Sequence, residues 1–411
     1  MLKIKSQQTK NVVIMWIANF FIAGSLTMIL PFLSLYIKTL GSYSHDFIQL
    51  WSGLVFGVTF ITAFIFSPIW GRIGDKYGRK KVLLILGYGV SICVLLMGYV
   101  SSVYMLFGLR MFMGLFAGFI SMGQALIAAQ TPKAIAGRTL GTLQTGNVTG
   151  SLFGPLLGGL LADTVGFEYT FLITAVVTFI ASSFVLFGIK EVRMEDNKAN
   201  EKQLTGREVL RYIFTTPMLL MIMLVSMIIQ IAHFAIQPLL ALYVEEFVSI
   251  ENIAFLSGVA FSATGLGNLL FTRQWGKWGD RVGHDKILFI LLILSAVVYV
   301  PQAFVTDIWQ LTLLRFVLGA VIGGVIPCRT AFIRQTAPVS IQGEVLGYNA
   351  SFRFLGNVIG PAMGGVIAGF FGISSVFFVT SGLLLLAGAM LGFIMKKQED
   401  TTTYKEVSVK G

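Results

Sequence analysis

The chain has 411 residues, of which 55% are hydrophobic and only 12% charged, with 45 glycines and a mean hydropathy of +0.81. A soluble protein of this size carries about twice that charged fraction, and the apolar excess runs in blocks along the whole sequence, so one integral membrane domain of two halves is expected and a soluble protein is excluded. The net charge of +11 does not indicate nucleic acid, because the basic residues sit in short loops between apolar runs, where they set topology and meet anionic headgroups.

In chain order, MLKIKSQQTK places three lysines before the first apolar run, as a signal peptide would. The run at 12–37 is too long for a signal core and shows no cleavage site, so it stays as the first span. Eleven more follow, at about 47–70, 82–100, 103–128, 140–162, 169–189, 217–244, 252–272, 287–304, 308–328, 344–369 and 374–395, each near the roughly 20 residues that a spanning helix needs. The splits near 101 and 372 rest on the short turn-like stretches SSVY and FGISS. Cys93 and Cys328 fall in apolar runs and read as small core residues, without a disulfide framework or metal spacing.

With a cytoplasmic N-terminus, 26 of the 30 Lys and Arg residues fall on inside segments, Arg329 and Arg334 among them. Only Lys38 lies in an outside loop, and Arg110, Arg315 and Arg353 fall within spans. The positive-inside rule therefore places both termini in the cytoplasm. The one long polar connection, 190–216, reads as a linker with a short surface helix at 205–214. It divides the chain into an N-terminal bundle at 1–189 and a C-terminal bundle at 217–396, followed by a cytoplasmic tail at 397–411.

The halves repeat. LGTLQTGNVTGSLFGPLLGG at 140–159 aligns with LGYNASFRFLGNVIGPAMGG at 346–365, offset by 206 residues. ILPFLSLYI at 29–37 matches IQPLLALYV at 236–244, GRIGDKYGRKK at 71–81 matches GKWGDRVGHDK at 276–286, and LRMFMG at 109–114 matches LRFVLG at 314–319, all at offsets of 205–207. Four ordered matches at one period describe two parallel six-helix repeats, the arrangement of a transporter with a midplane site at the repeat interface.

The loop between spans two and three, the arginine in span four and the G-x-x-x-G-P-x-x-G-G helix in span five together resemble the motif set of the major facilitator superfamily. The chain is most similar to its twelve-span drug:proton antiporter branch, and within it to Gram-positive fluoroquinolone and multidrug efflux pumps. The resemblance covers essentially the whole chain. It implies an all-α integral membrane fold of twelve transmembrane helices in two pseudo-symmetric six-helix bundles.

Each motif has a physical reading beside the resemblance. Gly71, Gly74 and Gly78 allow a tight turn and close helix approach, and Asp75 can accept from Arg79. The resemblance implies a gate latch against span eleven; the plainer reading is a basic loop that only fixes topology. The second copy keeps Asp280 and Arg281 but has His284 and Asp285 where the first has an Arg-Lys pair, which implies a weaker latch. Arg110 costs about 2.5–3.5 kcal/mol in the bilayer and must face the interior; the resemblance links it to proton coupling, with Arg315 as its counterpart. Gly146, Gly150, Gly154 and Gly158 form one flat helix face, Pro155 bends that helix, and Gly360 and Pro361 repeat the pattern in span eleven. Packing alone, or packing plus a pivot that seals against leak, both account for it.

Asn147 aligns with Arg353, the one charge between 345 and 395. Arg353 either faces a central cavity and helps bind an anionic or zwitterionic group, or holds helices together through a polar neighbour. Span one carries Asn19 but no carboxylate. His233, flanked by Gln230 and Gln237 at helical spacing, is the near-neutral titratable group closest to mid-membrane. It reads as a coupling residue or as a structural histidine, with Glu245, Glu246 and Asp307 as rival proton carriers. Phe20, Phe21, Phe112, Phe116, Phe234 and Phe352 are candidates for a drug-binding surface or for lipid contact.

The resemblance implies an exporter of hydrophobic, cationic or zwitterionic drugs such as fluoroquinolones and dyes. It would be a monomer in the bacterial plasma membrane, driven by the proton gradient without a cofactor, and would confer antibiotic resistance. No G-x-x-x-x-G-K-[ST] loop is present to bind ATP. A sugar or metabolite exporter of the same fold, and a non-transporting membrane sensor, are the alternatives; no nucleophile–base or metal constellation suggests an enzyme.

Overall fold

A computed structural model of the chain describes residues 2–191, 206–248, 252–338 and 341–410. Twelve helices are long and apolar enough to cross a membrane. Spans one to six are Gln7–Met28, His45–Tyr77, Arg79–Met97, Val103–Gln130, Ile135–Val165 and Phe167–Gly188. Spans seven to twelve are Pro217–Glu245, Ile253–Val282, His284–Gln302, Ile308–Thr336, Gln342–Phe371 and Ile373–Phe393.

The halves pack alike. In the first, span one lies on span five, span two on span four and span three on span six; the second repeats this with seven on eleven, eight on ten and nine on twelve. The bundles meet through two long pairs, span two against span eleven and span five against span eight. An even number of spans returns the chain to its starting side, so span one begins and span twelve ends toward the same face, called here the termini face.

Several spans expected to be continuous are broken. Span one stops at Met28 and resumes as a short helix, Leu33–Thr39. Span seven stops at Ala235, passes through a 3-10 turn at Gln237–Leu239 and resumes at Leu240–Glu245. Pro31 and Pro238 stand at these breaks; each lacks an N–H and crowds the preceding turn. Spans four and ten break after Gly114 and Ile322. A side chain at Gly114 or Gly323 would run into the facing span, at Thr59 and Asn268 respectively.

The glycine faces do what their spacing predicts. Any Cβ at Gly146, Gly150, Gly154 or Gly158 would meet the backbone or a threonine hydroxyl of span one, and at Gly356, Gly360 or Gly364 that of span seven. Pro155 and Pro361 sit inside helices that run unbroken over Lys133–Val165 and Gln342–Phe371. The motif loops turn on Gly78 and Gly283, with φ of +103° and +111°, a region that side chains avoid. These are the two positions where the repeated G-R and G-H pairs require glycine.

The linker helix covers Gly206–Thr215, while 192–205 lies outside the described residues. No break marks the expected tail at 397: the last helix continues from Ile373 to Lys410.

Candidate functional site

A cavity of about 590 Å³ lies between the bundles, within the range of small-molecule sites. The first bundle lines it with Leu26, Thr27, Phe56, Phe60, Asn147 and Pro155. The second contributes Gln230, His233, Phe234, Gln237, Asn268, Tyr299 and three arginines, Arg315, Arg329 and Arg353. Among the described residues, no carboxylate lines the cavity.

Of the sequence candidates, the fold brings Asn147, Gln230, His233, Phe234, Gln237 and Arg353 to this cavity. The alignment of Asn147 with Arg353 puts both on its wall, from opposite bundles. Arg353 Nε donates to Gln230 Oε1 at 3.3 Å. His233 Nε2 lies 3.0 Å from Gln237 Nε2, so when the amide donates, the imidazole accepts there and carries its proton on Nδ1. That Nδ1 is buried without a partner. Phe56 and Phe60 meet Phe234 across the bundle interface at ring separations of 5.9 and 5.6 Å.

Other candidates stand elsewhere. Phe112 is 49% exposed and does not line the cavity. Phe116 packs beside Gly89 in the N-terminal bundle. Phe21 is also surface-exposed. Phe20 stacks on Trp16, and its backbone is the surface that meets Gly150. Asn19 is fully buried near Gly123, its amide unpartnered. The six-fold redundancy of phenylalanine hid this: a 3.6-residue period shows that an aromatic lies on a face, not which neighbour that face meets. Arg110 is 4% exposed, its guanidinium 6.0 Å from the Phe56 ring, behind the cavity wall rather than on it.

Arg329 was counted as an inside loop charge, because the apolar run of span ten ends at 328. Span ten continues to Thr336, and Arg329 is 2% exposed with Nε unpartnered. Arg315, at 3%, lacks partners at Nε and Nη2. Asn268 and Tyr299 carried no sequence signal beyond their place in a span.

The cavity is closed on the face opposite the termini. A Cβ at Gly53 would meet Pro361, and one at Gly365 the backbone of Gln49 and Leu50. Gly159 abuts Ala254, and Ser262 donates to the Leu152 carbonyl at 2.7 Å. Asp163 of span five accepts from the backbone N–H groups of Ala254 and Phe255, at 3.3 and 2.7 Å. It thus caps span eight from the other bundle; Asn252, the residue in the cap position, makes no side-chain cap of its own. Lys38 pairs with Glu245 at 2.6 Å, also across the bundles. Beside that pair, burial pushes the Glu246 carboxyl above the usual carboxylate range, opposed by His45. Asp307 caps span ten through the N–H of Trp309.

Toward the termini face the same four helices carry Gly71, Gly141, Gly276 and Gly347, each with open space beside it. Among the described residues, the hydrogen bonds of Asp75, expected to latch against span eleven, stay within its own bundle. Asp75 accepts from Arg79 Nη2 at 2.8 Å, and Arg79 also donates to the Ala125 carbonyl. Glu191 receives the N–H groups of Arg79 and Lys80. In the second copy, Asp280 lies 3.2 Å from His284, and Arg281 sits in the last turn of span eight.

The pattern of the Major Facilitator Superfamily matches residues 15–270 and 252–409. The chain is 55% identical over 387 residues to the uncharacterized MFS-type transporter YuxJ of Bacillus subtilis, covering 94% of this chain and 99% of that one. It is 41% identical over 377 residues to multidrug resistance protein MdtG of Salmonella typhi, covering 92% and 93%. A bacterial homologue of the human lysosomal transporter Spinster, solved in an inward-facing and occupied conformation, superimposes with a TM-score of 0.79 at 12% identity over 95% of this chain and 97% of that one. The nucleoside transporter NupG gives 0.77 at 14% identity, over 95% and 99%. At such identities these two structures speak to the fold alone. The chain belongs to the major facilitator superfamily and is a multi-pass membrane transporter, not an enzyme.

Proposed function

We propose that this transporter exports amphiphilic drugs from the bacterial cytoplasm by alternating access, coupled to inward proton flow. The observation that carries the reading is the interface cavity, sealed on one face and open toward the termini, with an aromatic cluster facing a polar wall. The excess of Lys and Arg on the termini side argues that this open face is cytoplasmic, so the cavity is poised to load from inside. The 41% identity to a protein named for multidrug resistance supports a drug-like cargo.

In this reading the two bundles rock about the cavity. The small-residue faces of spans five and eleven keep close contact while the Asp163 and Lys38–Glu245 contacts release on the outside. The Asp75 loop then meets span eleven on the inside. His233 is the proton-carrying candidate on the cavity wall, since no carboxylate lines it. Everted vesicles containing the chain should accumulate norfloxacin, which carries a carboxylate, when energised and lose the gradient on addition of a protonophore. Absence of uptake above vesicles lacking the protein, with the chain correctly inserted, would sink the reading in favour of a metabolite carrier or sensor.

A further inference from the structure

We propose that the cargo is an amphiphilic anion: a carboxylate- or phosphate-class head held by Arg315, Arg329 and Arg353, on an aromatic body held by Phe56, Phe60 and Phe234. This deepens the exporter reading above and rests on it.

The charge inventory of the cavity is one-sided. Three guanidinium groups reach it, and no Asp or Glu does. Arg315 and Arg329 are nearly fully buried with unpartnered nitrogens, and Arg353 lines the same cavity as both. A buried guanidinium without a counter-ion is a costly arrangement. Three in one cavity persist when a ligand brings the missing negative charge, and planar N–H donors suit carboxylate and phosphate oxygens. A cationic drug would find no opposite charge there and would add to the positive charge.

The asymmetry between bundles gives the pose. All three arginines belong to the C-terminal bundle, while Asn147 takes the pseudo-symmetric place of Arg353 in the other. The head therefore sits on spans ten and eleven, and the body lies against the rings that bridge the bundles. Electrical work follows: carrying an anion out of a cell that is negative inside is downhill, about tenfold in concentration for each 60 mV per unit charge. An inward proton on the return adds to this charge movement.

Three probes share one body and differ in charge: 2-naphthoate, 2-naphthamide and 2-naphthylmethylammonium. Calorimetry on the full chain in phosphatidylcholine nanodiscs should show naphthoate binding at least about tenfold more tightly than either of the others. Arg353→Gln and Arg329→Gln should each weaken naphthoate about tenfold or more, as for loss of a charge-assisted hydrogen bond, and leave naphthamide unchanged. Arg353→Lys should restore part of the loss. Equal affinity for the three probes, or preference for the cation, overturns the proposal. If a glutamine variant does not fold, the probe series on the unaltered chain decides.

Replacing the lipid with phosphatidylglycerol separates the two sources of such a head. Unchanged naphthoate affinity supports a soluble cargo, whereas a tenfold loss assigns the arginines to lipid headgroups and overturns it. In proteoliposomes clamped with potassium and valinomycin at equal pH, naphthoate should distribute by at least about tenfold per 60 mV, and more steeply than naphthamide by about tenfold per 60 mV, the work done on its own charge. Distribution of naphthoate independent of potential overturns the electrical part. If naphthoate binds selectively but no probe crosses, the exporter reading fails and the anion site stands.

Discussion

Asp163 of the N-terminal bundle accepts a 2.7 Å hydrogen bond from the backbone N–H of Phe255 in the C-terminal bundle. A carboxylate from one half of the molecule thus supplies the N-cap of a helix in the other, where both the free N–H groups and the helix dipole favour negative charge. The bond exists only while the two bundles touch on that face.

Asp163→Asn should therefore open the face opposite the termini. Charge-assisted hydrogen bonds contribute about 1.5–3 kcal/mol, enough to move a closed population by tenfold or more. Spin labels at the ends of spans five and eight on that face, read by pulsed electron resonance, should show the longer distance gaining weight. An unchanged distance distribution would remove the cap from the closing machinery.

Glu245→Gln should do much less. The Lys38–Glu245 pair is short, but its side chains are 45% and 31% exposed, and solvent-exposed pairs contribute about 0–1 kcal/mol. The same labels should report less than a fivefold change. A larger effect than that of Asp163→Asn would reverse the ranking of the two contacts.

The Glu246 carboxyl gives the closed face a pH dependence. Burial raises its value there, whereas in an open, hydrated face it returns to the usual range. Protonation thus favours closure. This contribution to closure is fully present below the ordinary carboxylate value and is lost as pH rises through the raised one. Acidifying the outer medium toward the carboxylate range should increase the closed fraction, and Glu246→Gln should flatten that response. Lys38, His45 and Glu245 share the pocket, so a response that survives Glu246→Gln belongs to one of them.

Two glycine substitutions should separate packing from gating. Gly150→Leu drives a side chain into the Phe20 backbone and should destabilise the fold by about 1–3 kcal/mol or more, seen as a lower melting temperature in detergent. Gly71→Leu meets open space in this conformation and should leave melting unchanged. Export should still fall if the Asp75 loop must approach span eleven for the inner face to close; full activity would exclude that approach.

The span count and the two-fold repeat were legible because both rest on local chemistry. Apolar length sets a span, and Gly-Pro spacing sets a helix face. The same spacing foretold that Gly146 to Gly158 would receive another helix. Pro31 and Pro238 were visible too, but taken inside continuous runs, because hydropathy does not register a lost N–H.

Arg329 marks where such reasoning stops. A charge after an apolar run reads as a loop, and only the continuation of the helix to Thr336, packed inside its bundle, turns that residue to the cavity. Phe112 and Phe234 are indistinguishable by composition, yet one stands away from the cavity and the other meets Phe56 across the bundles. The sequence by itself determined twelve spans, their duplication and the surfaces that pack within each half, since these follow from residues near one another in the chain. The tertiary structure alone decided which face is sealed, that Asp163 caps the opposite bundle and that three arginines share one cavity without a carboxylate. Those relationships join residues about 90 or more positions apart or fix the direction of a side chain, and neither is carried by local periodicity.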